Sequence, residues 1–306
     1  MEQLLESHKL ILMEAAVVEQ LRRSGDVQLH ATLINAPLIY DEAGKKALTN
    51  IYQAYIDIAL QAGLPFLMCT PTWRANRDRV MGSGVNVAIN SDAASFMQEL
   101  RETERSAQGI IKIGGLIACK NDCYRPEEAL PATESEQFHA WQINQLADAG
   151  VDFLIAQTLP SVEEAKGIAR AMASTALPYI ISFVIGRDGK LLDGTALDVA
   201  IESVDAFTEI KPLGYMVNCA YPDFVCAEKQ PARVFKRLIG YLANASSLDH
   251  TALDGAGQLQ REHVADWGEA MLRLNSLYRV KVMGGCCGTD EEYLGYIARE
   301  ARIDPV

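Results

Sequence analysis

"RVKVMGGCCGTDEEYLGYIARE", residues Arg279 to Glu300, contains a complete strand, turn and helix. The apolar run Arg279 to Gly285 reads as a buried strand, with Val280 and Val282 supplying β-branched bulk. Thr289 followed by Glu292 reads as a capping box opening a helix. Between them lie Cys286 and Cys287. Neighbours on a regular strand point to opposite faces. Two adjacent thiols can therefore serve one site only where the strand has ended and the chain bends. Gly284, Gly285 and Gly288 permit that bend.

The same strand-then-helix unit recurs upstream. Strand-like runs rich in Val, Ile and Leu occupy Leu10 to Met13, Pro65 to Thr70, Ile110 to Ala118, Asp152 to Thr158, Tyr179 to Ile185, Gly214 to Ala220 and Leu238 to Asn244. Such runs suit strands buried on both faces. Helical patterns separate them. One opens at Ser161, with Glu164 completing a predicted capping box; another spans Glu136 to Gly150 and stops at its glycine. Eight strands alternating with helices predict a single-domain (β/α)8 TIM barrel over residues 1–306. The rival, a doubly wound open sheet, lacks a glycine-rich dinucleotide fingerprint after an early strand. Leu33 to Gly44 and Leu248 to Gln258 read as long irregular loops, which in a barrel would help to build the mouth.

The chain has 306 residues, 49% hydrophobic and 22% charged, enough to bury a large core. Its formal net charge is -12 and it has no dense Lys/Arg stripe, which argues against nucleic acid as a partner. No apolar run is long enough to cross a bilayer, and the opening "MEQLLESHKL" has no secretory core. The expected location is cytoplasmic. Seven cysteines, an odd number, point to free thiols or metal ligands rather than a disulfide framework.

Barrel active sites lie at the carboxyl ends of the strands. Cys286 and Cys287 have that address, just before a helix N-terminus whose dipole favours thiolate. Cys219 in "MVNCAYPDF" has the same address on an earlier strand. Three thiolates converging on one mouth would make a zinc site with a fourth position open, the pattern of catalytic zinc. A shared metal site and three separately packed thiols both fit the residues alone. Cys69, Cys119, Cys123 and Cys226 read as small buried hydrophobes. His139, within a helical pattern, reads as a helix residue rather than a ligand.

"GGCCGT" at the end of the last strand, with "NC" closing an earlier one, resembles the zinc-dependent homocysteine S-methyltransferase family. Relatives in that family draw their methyl group from S-methylmethionine, betaine or methylated folate. "ILMEAAVVEQLRRSG", "TPTWRANRDRV", "FHAWQINQLADAGVDFLIAQTLPSVEEA" and "SFVIGRDGKLLDGT" are similar to further family signatures. The resemblance implies the same barrel, zinc on Cys219, Cys286 and Cys287, and two small-molecule partners, a thiol acceptor and a methyl donor. It also marks departures. Glu14 stands where the family has Asp, followed by Ala15 and Ala16 instead of glycines. Gln157 replaces a Glu, and Trp73 replaces a Tyr, with Pro71 before Thr72. The family's two carboxylates help hold the amino group of homocysteine. Glu14 and Gln157 are therefore expected to hold the acceptor differently, which favours a thiol whose amino group is missing or displaced.

The expected substrate-binding residues are Glu14, Trp73, Gln157, Asn218 and Asn244. The aromatic face of Trp73 suits a cationic donor, and Asn218 and Asn244 end strands at the mouth. The expected activity is zinc-dependent transfer of a methyl group to a zinc-activated thiol such as homocysteine. The alternative is a barrel that binds zinc or works in thiol redox chemistry without methyl transfer.

Overall fold

The computed structural model describes residues 1–104, 109–249 and 260–303. The chain begins with helix α1 (Glu2–Ser7), strand β1 (Ile11–Met13) and helix α2 (Val18–Ser24). Helix α3 (Glu42–Ala62) leads to β2 (Phe66–Cys69), and α4 (Arg77–Ser83) and α5 (Ile89–Thr103) lead to β3 (Ile111–Ala118). Then come α6 (Ala132–Asp148), β4 (Phe153–Leu159), α7 (Val162–Ala173), β5 (Tyr179–Phe183), α8 (Leu197–Phe207) and β6 (Gly214–Ala220). The chain closes with α9 (Ala232–Phe235), β7 (Leu238–Ala243), α10 (Val264–Tyr278), β8 (Val282–Gly285) and α11 (Glu291–Ile303). The strands form a closed parallel barrel in the order β1 to β8, as the alternation predicts.

Side-chain parity divides the core in two. Ile11, Met13, Leu67, Cys69, Phe153, Ile155, Ile180, Met216 and Val282 fill the barrel, and Leu4 and Leu5 of α1 pack with them. Leu12, Leu154, Ile181 and Val217 point outward into the larger layer between strands and helices. By the same two-residue period, Gln157, Ser182 and Asn218 belong to the inner face near the mouth.

Near the mouth the register slips at two places: between Ala156 and Leu159 where β4 meets β5, and between Asn218 and Ala220 where β6 meets β7. Each slip holds a non-glycine residue in the left-handed region, Thr158 at φ 59° and Cys219 at φ 55°. That conformation is uncommon for side-chain-bearing residues and an outlier for a β-branched threonine. By strict alternation Cys219 would face the helices. The left-handed bend turns it toward the mouth.

Several local expectations need correction. Leu33 to Gly44 is not an irregular loop: Ala36–Tyr40 forms a 3-10 turn with Pro37 in its first turn, and Asp41 caps α3 by accepting the Gly44 N–H at 2.7 Å. Leu248 and Asp249 lack regular structure, and the rest of the other expected loop, 250–258, lies outside the described residues. Ser161 does cap α7, accepting the Glu163 N–H at 3.3 Å, but the capping box does not close. Glu164 is buried and turns away, accepting from the Lys120 N–H at 2.8 Å and pairing with His139 Nε2 at 3.0 Å. Thr289 likewise does not cap α11. Its hydroxyl donates to the Cys286 carbonyl at 2.6 Å, and Asp290 accepts the Glu292 N–H at 3.1 Å instead. Among the described residues no helix is long and apolar enough to cross a membrane.

Candidate metal centre and substrate cavity

The last βα turn folds as its glycines require. A Cβ on Gly284 would lie 2.6 Å from the Met13 carbonyl oxygen and 2.7 Å from that of Glu14. Only glycine lets β8 approach the end of β1 so closely. The Cys286 N–H then donates to the Ala243 carbonyl at 2.8 Å, and the Cys287 carbonyl accepts the Ala245 N–H at 2.9 Å. Gly288 turns the chain at φ 83°, and its N–H donates to the Glu19 carboxylate. Glu19 also accepts a forked pair of bonds from Arg23, at 2.8 and 3.1 Å. Helix α2 is thereby tied to the cysteine turn.

That turn places both cysteine side chains with Cys219. The three sulfurs lie within 4.8 Å of one another, and Cys219 Sγ is 2.6 Å from Cys286 Sγ. Cys219 is buried, Cys286 half-buried and Cys287 exposed, so the cluster opens on one side. The hydrogen bond from Cys219, followed by one from Cys287, pulls the Cys286 thiol well below its ordinary pKa. Cys219, as the donor to Cys286, is pushed up. The three thiols share their protons as one group. The end of α11 is capped by Asp290. Three soft sulfur donors facing a cavity form a donor set that fits a metal with one position left open.

The cavity beside the sulfurs has a volume of about 350 Å³, and all eight residues expected from sequence line it. Glu14 is buried, and its carboxylate accepts the Cys69 N–H at 2.6 Å. Burial pushes its carboxyl up to about 8, against the lowering effect of the bonds from Cys69. Gln157 lies with its amide nitrogen 4.0 Å from Cys69 Sγ. The Trp73 indole N–H donates to Thr158 Oγ1 at 3.0 Å, and the Arg74 guanidinium stacks 4.3 Å from the Trp73 ring centre. Asn218 is fully buried, and its amide is bonded to three protein groups. The Asn244 backbone carbonyl accepts the Trp267 indole N–H at 2.9 Å, while its buried side-chain oxygen has no hydrogen-bond partner among the described residues.

Sequence reasoning missed Asn35, Tyr124 and Ser182. Asn35 lines the cavity with a second buried, unpartnered side-chain oxygen. It lies in the stretch expected at the mouth, so its position was legible and its role was not. Tyr124 follows the carboxyl end of β3 and lines the cavity; burial, then the charges of the cysteine cluster, push its hydroxyl up. Ser182 sits two residues beyond inward-facing Ile180, a signal that period-two counting could have caught. Of the remaining cysteines, Cys69, Cys119 and Cys123 are buried as expected, whereas Cys226 is half-buried.

The sequence profile of the homocysteine S-methyltransferase family matches residues 11–301. Homocysteine S-methyltransferase YbgG of Bacillus subtilis (strain 168) is 25% identical, over 98% of this chain and 97% of its own. A homocysteine S-methyltransferase of Escherichia coli (strain K12) is 22% identical, over 94% of this chain and 93% of its own. The metallated form of the homocysteine methyltransferase MmuM from Escherichia coli shares the fold, with a TM-score of 0.75 at 17% identity over 97% of this chain and 98% of that one.

Proposed function

The chain belongs to the homocysteine S-methyltransferase family, and from that premise we propose that it moves a methyl group from a small donor to a thiol, with homocysteine as the reference acceptor. The observation that carries this reading is the cluster of three cysteine sulfurs within 4.8 Å of one another at the open end of the barrel. Cys219, Cys286 and Cys287 would hold a zinc ion, whose charge would let an incoming thiol lose its proton at neutral pH. Without such help a thiol of pKa about 8.5 is mostly protonated there.

The rest of the work falls to positioning. The acceptor sulfur, as thiolate, forms a bond to the methyl carbon. The bond from that carbon to the donor's sulfur or nitrogen breaks, and its electron pair stays with the leaving atom. With a sulfonium or quaternary ammonium donor, the donor's positive charge disappears in this step. Trp73, fixed by Thr158 on its indole N–H and by the Arg74 stack, borders the space a cationic donor would occupy. Once the charge is gone the product is held less well, which favours release. Little acid–base catalysis is required; alignment of donor and acceptor is the main contribution.

Against the expectation of an acceptor without an amino group, the burial of Glu14 supports one that keeps an ammonium group. With no cation beside it, Glu14 holds its proton up to about pH 8; an ammonium would draw it to the charged form. The unpartnered oxygens of Asn35 and Asn244 are two further places where a substrate N–H could be received. Gln157 can accept a hydrogen bond but brings no charge.

The test is a screen of metal-loaded protein against sulfonium, quaternary ammonium and methylfolate donors, each with homocysteine and with 3-mercaptopropionate, reading methylated thiol by mass spectrometry. The reading requires a methylated thiol with at least one donor, lost in Cys287→Ala. Zinc uptake without product from any pair would favour a binding or redox protein. Product from 3-mercaptopropionate in excess of that from homocysteine would show that Glu14 and Gln157 have moved the preference away from an amino thiol.

A further inference from the structure

Two residues near the mouth are held in the left-handed region, Thr158 at the end of β4 and Cys219 at the end of β6. They stand on strands separated by β5, and one side chain bonds to both. Asn218 Oδ1 accepts the Thr158 N–H at 3.0 Å and the Ser182 hydroxyl at 2.7 Å. Asn218 Nδ2 donates to Cys219 Sγ at 3.3 Å. The orientation of this amide is fixed by chemistry, because a backbone N–H can be met only by the oxygen. The nitrogen must therefore face the sulfur.

We propose that Asn218 is a positioning residue for the metal centre: it holds Cys219 in its left-handed turn and donates an N–H to the sulfur, so that Cys219 ligates as a thiolate beside Cys286 and Cys287. This rests on the reading of the three cysteines as a metal site. The proposal also changes the role of Asn218. Its side chain is fully buried and bonded to β4, β5 and the neighbouring thiol, so it serves the centre rather than touching substrate. The left-handed conformation costs on the order of 1–3 kcal/mol per residue and persists only where surrounding bonds over-determine it. At Cys219 that determination comes from its neighbour's amide. Trp73 joins the same network through Thr158 Oγ1, linking the aromatic wall of the cavity to the sulfur cluster.

Asn218→Asp removes the N–H to sulfur bond. The substituted side chain keeps an oxygen for Thr158 and Ser182, puts an acceptor oxygen where the donor to Cys219 stood and, when ionised, adds a negative charge beside the sulfurs. The readouts are cobalt(II) affinity by chelator competition, the sulfur-to-cobalt charge-transfer band, and melting of the metal-free protein. In the variant, cobalt should bind about 10- to 100-fold more weakly, the usual penalty for losing a partner of a metal ligand. The charge-transfer band should shift, and the metal-free protein should melt near the wild-type temperature. Wild-type affinity with an unchanged band would overturn the proposal. If Asn218→Asp does not fold, Ser182→Ala takes its place: it removes one of the two bonds that anchor Oδ1, which loosens the amide without reversing it, and should weaken cobalt binding several-fold, and unchanged affinity would overturn the proposal equally. A wild-type protein that takes up no cobalt, or keeps it stoichiometrically after Cys219→Ser, would overturn the metal-centre reading and this proposal with it. That outcome is distinct from one in which only the Asn218 variants behave as wild type.

Discussion

Glu14 places a buried carboxylate in the cavity, and its environment makes stability depend on pH. Its oxygens meet the Cys69 N–H and thiol, and the Tyr52 and Tyr55 hydroxyls of α3 feel its charge. Among the described residues no cationic side chain bonds to it. In the folded chain its carboxyl titrates near 8, above its value of 4.5 when solvated. The protonated form is thus favoured by folding. The associated stability is fully present below about pH 4.5 and is lost as pH rises through about 8. A shift of this size corresponds to about 3–5 kcal/mol between the two limits. Glu14→Gln removes the titration. Urea unfolding of the metal-free proteins at pH 5.5 and pH 8.5 should show the glutamine variant gaining on wild type at the higher pH, and parallel profiles would contradict the account. At this scale the sequence was informative about residue types. A Cys doublet among glycines and a third cysteine at another strand end marked the sulfur cluster. The sequence could not show that the Asn218 amide is already bonded, because two of its partners lie on β4 and β5.

At the scale of elements, the last βα unit shows why the strands were legible and the helix caps were not. Strands of a closed barrel are buried on both faces, so their apolar runs mark them directly. The expected span of β6 matches the observed one, and β8 starts later than expected because Arg279, at φ 61°, still ends α10. A capping box is a local rule, and it loses to a stronger distant partner. Glu164 is claimed by His139 on α6 and by the Lys120 N–H after β3, and Thr289 by the Cys286 carbonyl. These competitors are invisible in a short window of sequence. The glycines of β8, by contrast, give a direct forecast. A methyl group at Gly284 meets the carbonyl oxygens of Met13 and Glu14, and a main chain cannot yield as a flexible side chain can. Gly284→Ala should cost roughly 1–3 kcal/mol of stability, the usual penalty for overpacking, and should also weaken zinc binding by displacing Cys286. Chemical denaturation and chelator competition on the same preparation check both effects. Loss of stability with metal affinity intact would mean that the strand pairing does not set the position of the sulfurs.

At the scale of the whole molecule, the barrel separates folding from chemistry. Its core is closed by apolar residues below the mouth, and the sulfur cluster stands above them at the carboxyl ends of β6 and β8. Losing a metal there should leave the barrel standing. Hydrogen peroxide can take two electrons from two of the clustered thiolates, forming a disulfide while the peroxide is reduced to water. The expected outcome is parallel loss of bound zinc and of methyl transfer while far-UV circular dichroism stays near its starting value. Helical signal falling in step with activity would instead give the metal a structural role.

On the proposed reading, Cys219, Cys286 and Cys287 share one metal that receives the acceptor thiol in its open position. X-ray absorption at the zinc edge tests it most directly. In the resting protein the account requires about three sulfur neighbours at roughly 2.3 Å together with one light-atom neighbour. Addition of homocysteine should replace that light neighbour with a fourth sulfur at a similar distance. Fewer than three sulfurs at rest, or an environment unchanged by saturating thiol, would contradict the account.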